Sequence, residues 1–223
     1  MKNTDKKWVG YYHYGVILTY ISVVSAIVGI CLSALGRSGI GVICLIVSGI
    51  CDAFDGTVAR TRKNRAPEDR IFGEQIDSLS DLIAFGVAPV MIGFGLGMRN
   101  WYCIGVYIVF VLCALIRLAY YNVTEEVRRT DPNGGARTSF EGLPVTSVAI
   151  VLPIFWMVAT MVLRYWGGRI AKIIMLAAYV IIAFLFVFRF RMPKLKVKGI
   201  VITILIMTVI LGSLLLVKHF CCS

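Results

Sequence analysis

A chain of 223 residues that is 59% hydrophobic is too apolar for a soluble globular domain, in which roughly 45–50% of residues are apolar. Its length leaves no room for a soluble unit beside the apolar segments, so the expected fold class is all-α: one polytopic integral membrane domain over residues 1–223. The net charge of +11, from 23 Lys and Arg against 12 Asp and Glu, calls for no nucleic-acid partner, because membrane topology accounts for where the basic residues fall.

Residues 1–13 mix lysines with Trp8, Tyr11 and Tyr12, the composition of a segment lying at a membrane interface. Apolar runs follow near 14–35, 39–59, 74–97, 101–121, 143–163, 170–188 and 199–217. Each is close to the ~20 residues that a spanning helix needs. The expectation is a six-helix core with a seventh transmembrane helix at the C-terminal end. The first run reads as a retained helix, since it has full spanning length and no small-residue cleavage site.

Numbering the loops alternately from an inner N-terminus puts sixteen basic residues on one face. They fall at Lys2–Lys7, Arg60–Arg70, Arg128–Arg137 and Arg189–Lys198. The other face holds six: Arg37, Arg99, Arg164, Arg169, Lys172 and Lys218, while Arg117 falls within a span. That asymmetry makes the first face cytoplasmic. The seven cysteines contain no C-x-x-C pair and read as small packing residues rather than zinc ligands or a disulfide framework.

In the first helix Thr19, Ser22 and Ser25 recur at a spacing of three and share one face. The second helix runs inward to Asp52 and Asp55, and the third runs outward from Asp77 and Asp81, with residues 60–73 joining them. Pro89, among several glycines, loosens the third helix. The fourth ends in R-L-A-Y-Y-N at 117–122, and F-E-G-L-P at 140–144 precedes the fifth.

Residues 39–97, helices 2 and 3, carry the chemistry. Carboxylates near a bilayer cost a few kcal/mol each by insertion scales. The spacings Asp52–Asp55 and Asp77–Asp81 put each pair on one helical face. If the two helices are antiparallel neighbours, all four groups converge, and they repel unless cations enter. Hard oxygen donors without thiolate or imidazole suit Mg²⁺ or Mn²⁺. Gly56 and Ala59 leave room beside the backbone, and Arg60 offers the planar fork that phosphate oxygens prefer. The ordered set describes a site for a metal-bound nucleotide pyrophosphate.

Read as D-A-F-D-G-T-V-A-R at 52–60 and G-E-Q-I-D-S-L-S-D at 73–81, the stretch resembles the CDP-alcohol phosphotransferase family, whose pattern is D-x₂-D-G-x₂-A-R-x₈-G-x₃-D-x₃-D. All eight defining residues are present. Twelve residues, 61–72, stand where the pattern has eight, a lengthening that a surface loop tolerates. The resemblance implies that Asp52, Asp55, Asp77 and Asp81 hold two Mg²⁺ or Mn²⁺ ions. It also implies that Asp81 is the general base, and that Asp52, Gly56, Ala59, Arg60 and Gly73 bind the cytidine diphosphate.

Within the family, the runs at 75–89, 117–122 and 140–144 resemble the serine-using branch, although Thr146 replaces a second proline usual after G-L-P. This implies CDP-diacylglycerol as donor, L-serine as acceptor, phosphatidylserine and CMP as products, and a homodimer in the cell membrane with its site facing the cytoplasm. Arg117 and Asn122 are the expected acceptor-binding residues. Two alternatives stay open. One keeps the chemistry with glycerol 3-phosphate or an inositol phosphate as acceptor. The other is a cation transporter with intramembrane carboxylates, which leaves Gly56, Ala59 and Arg60 unexplained.

Overall fold

Inside a bilayer a backbone must satisfy its own hydrogen bonds, so long apolar runs become helices. The computed structural model describes residues 14–60, 67–130 and 139–193, together with Val209 and Gly212. In chain order the helices are α1 (Tyr14–Ala34), α2 (Ser38–Arg60), α3 (Pro67–Asp81), α4 (Ala88–Gly95), α5 (Trp101–Thr130), α6 (Val148–Trp166) and α7 (Gly168–Val187). A π-helical segment, Leu82–Val87, joins α3 to α4, and a 3₁₀ turn, Val145–Ser147, leads into α6. Among the described residues five stretches are long and apolar enough to cross a membrane: Val16–Ala34, Glu68–Gly95, Trp101–Arg128, Val145–Trp166 and Gly168–Val187. Among the described side chains of α2, the apolar helix runs over Ser38–Phe54. The protein is an all-α integral membrane protein. The interfacial segment 1–13 lies outside the described residues, as does the seventh span at 199–217 apart from Val209 and Gly212.

Two boundaries and one added ribbon differ from the sequence reading. Helix 3 begins at Pro67 rather than near 74. Pro67 opens the helix where a missing N–H costs nothing, and Glu68 and Asp69 in the first turn complement the helix dipole. Half of the expected 61–72 loop is therefore helix, and 61–66 lies outside the described residues. Second, α5 continues to Thr130, more than two turns past its apolar run. Its polar end is held by an ion pair between Glu125 and Arg128, one turn apart. Third, two three-residue strands, β1 (Ser139–Glu141) and β2 (Arg191–Pro193), pair antiparallel with Phe140 opposite Met192. This ribbon ties the segment before α6 to the segment after α7.

The π segment has a local cause. Pro89 has no N–H to give the carbonyl four residues back. The Ala88 N–H instead reaches Ile83 O, five residues back, which inserts one residue into the helix. Tyr179 Oη donates to Pro89 O at 2.5 Å, occupying a carbonyl in the irregular stretch. Tyr179 is fully buried and takes the rings of Tyr107 and Phe110 edge-on, each at 5.3 Å between centroids. This aromatic cluster joins α4, α5 and α7.

The serine face of α1 meets α2. Ser22 Oγ donates to Ser48 O at 3.3 Å, Ser48 Oγ donates back to Ser22 O at 3.0 Å, and Ser25 Oγ donates to Cys44 O at 3.0 Å. Small-residue helix packing explains the pattern. Gly29 sets the distance: a Cβ there would lie 2.8 Å from the Cβ of Cys44. Gly29→Leu is therefore expected to destabilise the helix pair by about 1–3 kcal/mol through overpacking. Thermal unfolding in detergent measures this, and an unchanged melting temperature would show that the helices separate at no cost.

Candidate metal and nucleotide site

Asp52 lies in the last apolar stretch of α2, and Asp77 and Asp81 lie one turn apart at the end of α3. The fold brings the three together. One carboxylate oxygen from each lies within 4.8 Å of the others, and all three side chains are half-buried. Like charges that close, partly shielded from water, repel strongly. A cation among them removes that cost. The donor set is hard oxygen alone, which fits Mg²⁺ or Mn²⁺ and not zinc.

The α3 backbone is adapted to this. Ser80, buried between the two aspartates, donates from Oγ to Ile76 O and Asp77 O, both at 2.8 Å. One turn before Asp77, a Cβ on Gly73 would meet no atom of the described residues within 4 Å. Asp55, Gly56, Ala59 and Arg60 continue the helical backbone of α2 beyond Asp52; their side chains lie outside the described residues.

A cavity of about 430 Å³ opens between α3 and α5 against Asp77. Glu74, Gln75 and Ser78 line it from α3, and Tyr121, Asn122 and Glu125 from α5. Ser78 Oγ donates to Asn122 Oδ1 at 3.0 Å, coupling the two walls. Glu74 is also ion-paired with Arg70 at 3.3 Å. Asn122 thus shares a cavity with Asp77. Arg117 does not. It is buried in another cavity with Gly142 and Phe188. Its Nε donates to Leu143 O at 3.0 Å and its Nη2 to Gly142 O at 3.4 Å. Gly142 has φ +74°, a conformation that glycine adopts without strain. A Cβ there would also approach Phe188 O to 3.1 Å. The Arg117 guanidinium therefore clasps the turn before α6.

Sequence reasoning did not single out Glu74, Gln75, Ser78, Tyr121 or Glu125. A signal was present: Glu74 stands three residues before Asp77, and Glu125 three after Asn122, so each pair shares a helical face. Which two faces oppose each other was not readable from spacing.

The family model for CDP-alcohol phosphatidyltransferase matches residues 13–183. The chain belongs to this family of transferases. Relatives with assigned activities point the same way. The CDP-diacylglycerol–serine O-phosphatidyltransferase of Saccharomyces cerevisiae is 44% identical over 109 residues, 48% of this chain and 38% of that protein. The archaetidylserine synthase of Methanothermobacter thermautotrophicus is 30% identical over 178 residues, 79% of this chain and 70% of that one. The CDP-diacylglycerol–serine O-phosphatidyltransferase of Helicobacter pylori is 31% identical over 176 residues, 78% and 69% respectively. The match thus spans well under half of the yeast protein and about two thirds of the other two.

The Arg117 clasp is expected to be structural. Arg117→Lys keeps the charge but loses the fork that reaches two carbonyls, and it should cost about 1–3 kcal/mol for buried groups left unpaired. Thermal unfolding should fall while the KM for the acceptor holds. A raised acceptor KM at unchanged stability would instead make Arg117 a substrate ligand.

Proposed function

We propose that the chain transfers a phosphatidyl group from CDP-diacylglycerol to the hydroxyl of L-serine, giving phosphatidylserine and CMP. The observation that carries this reading is the convergence of Asp52, Asp77 and Asp81 from two helices within a matched phosphatidyltransferase domain. The names of the yeast and Helicobacter relatives support serine as the acceptor.

Asp52, Asp55, Asp77 and Asp81 would hold two divalent ions of the Mg²⁺ or Mn²⁺ kind. Such ions, when bound, neutralise charge on the pyrophosphate and on the departing CMP. Gly56, Ala59, Arg60 and Gly73 would seat the cytidine diphosphate, with small residues allowing close approach and Arg60 pairing phosphate oxygens. Asp81 would accept the proton of the serine hydroxyl. The serine oxygen then bonds to the phosphatidyl phosphorus as the phosphoanhydride bond to CMP breaks. A donor whose acyl chains stay in the bilayer accounts for a site at helix ends rather than at mid-membrane.

The cavity beside Asp77 supports an amino-acid acceptor. Its described lining contains Glu74, Glu125, Glu126, Gln75 and Asn122, with Glu74 ion-paired to Arg70 and Glu125 to Arg128. Glu126 suits an ammonium group, and the amides can pair a carboxylate. In this reading Asn122 contacts the acceptor, the site faces the cytoplasm on the side richer in basic residues, and one membrane domain acts as a homodimer in the cell membrane.

The purified protein, given CDP-diacylglycerol and Mn²⁺, should release CMP fastest with L-serine among a panel that includes glycerol 3-phosphate and inositol phosphate. No release with any alcohol would sink the reading, and a preference for glycerol 3-phosphate would overturn the acceptor. Asp81→Asn should lower turnover by at least about 10²-fold, the scale of a lost general base, while the protein still unfolds cooperatively. Turnover within threefold of the parent would remove Asp81 from the reaction.

A further inference from the structure

A second concavity lies away from the carboxylates, on the outer face between α5 and α7. It is an apolar groove of about 690 Å³, walled by Gly105, Val109 and Cys113 of α5 and by Ala183, Phe184 and Phe188 at α7 and just beyond it. A Cβ on Gly105 would meet no atom of the described residues within 4 Å, so none of them covers the helix backbone there. The rings of Phe184 and Phe188 stack at 5.1 Å between centroids, 26° from parallel. The Arg117 cavity, about 160 Å³, continues the groove, sharing Val187 and Phe188 and adding Arg117, Tyr120 and Arg189.

Arg189 stands two residues beyond the end of α7 and is exposed. Its Nη2 donates to Tyr120 Oη at 2.6 Å, and its guanidinium carbon lies 5.9 Å from the centroid of that ring. Tyr120 therefore holds the cation at the mouth of the groove. From Gly105 to Tyr120 the helix rises about 22 Å, well over half of the ~30 Å hydrocarbon thickness. A concave apolar track of that length, ending in a positioned guanidinium at the end of a membrane span, matches an acyl chain joined to a phosphate. The basic residues Arg191, Lys194, Lys196 and Lys198 follow directly in sequence and add attraction for an anionic leaflet.

We propose that this groove is a resident site for an anionic glycerophospholipid of the surrounding bilayer, with one acyl chain in the groove and its phosphate on Arg189. The groove and its mouth share no lining residue with the cavity beside Asp77.

The test is native mass spectrometry of the full chain in detergent, with dioleoylphosphatidylglycerol or dioleoylphosphatidylcholine added; neither carries cytidine. The anionic lipid should be retained about fivefold more than the zwitterionic one, the effect of one cation at the surface. Arg189→Gln should abolish that preference, and Arg189→Lys should keep part of it. Gly105→Trp, which places a ring in open space, should fold normally and lose retention of the anionic lipid. Equal retention of the two lipids by the parent protein would overturn the proposal, as would undiminished retention in Gly105→Trp. If Gly105→Trp instead converts a dimer to monomers, the groove is an interface between copies and the lipid site is refuted. Should Arg189→Gln fail to fold, Arg189→Lys and Gly105→Trp decide the matter.

Discussion

Mutual repulsion among Asp52, Asp77 and Asp81 is the constraint on which the rest of the structure depends. Three carboxylate oxygens within 4.8 Å of one another, at the ends of apolar helices, form an arrangement that a chain left to relax would open. It persists because the helices bearing the groups are fastened elsewhere. The reciprocal bonds between Ser22 and Ser48 fix α2 against α1. The close approach at Gly29 leaves that pair little room to slide. On the other side, the aromatic cluster around Tyr179 secures α4, and through the π segment the end of α3. The bundle thus holds the helices that gather these carboxylates, and a divalent cation is the natural means of offsetting their repulsion.

At Pro89 and at Arg117 the protein itself satisfies polar groups at membrane depth. Pro89 breaks the regular ladder, and the π turn with Tyr179 absorbs the break. Arg117 is buried, and two carbonyls of the Gly142–Leu143 turn receive it. The sequence reading offered Arg117 as an acceptor-binding residue. In the structure its Nε and Nη2 reach two carbonyls of a backbone turn at a glycine bend. The ribbon between β1 and β2 lies next to that turn, with Gly142 N donating to Phe190 O at 2.7 Å. The entry to α6 and the exit of α7 therefore form one fastened corner.

Much of the helical plan was legible because helices in lipid are dictated locally: an apolar run must satisfy its own backbone wherever it packs. Boundaries were less legible where the helix outlasts the apolar run. α3 reaches back to Pro67 with an acidic first turn, and α5 runs on to Thr130 past the Glu125–Arg128 ion pair, features that hydropathy does not register. The pairing of β1 with β2 was not legible at all. Its two strands lie some fifty residues apart in sequence, and each has only three residues.

Residue identity and spacing alone determined the membrane class, the aspartate motif with its small residues and Arg60, and the phosphotransferase family it resembles. These depend on short-range order along a helix, which is periodic and therefore readable. Tertiary structure decided which surfaces face one another. It put Asn122 with Asp77 in one cavity and sent Arg117 to a turn. It also joined Tyr120 to Arg189, far along the chain, at the mouth of an apolar groove. Each of these depends on how helices rotate and tilt against their neighbours. That rotation is set by the summed packing of buried side chains rather than by any segment's own pattern.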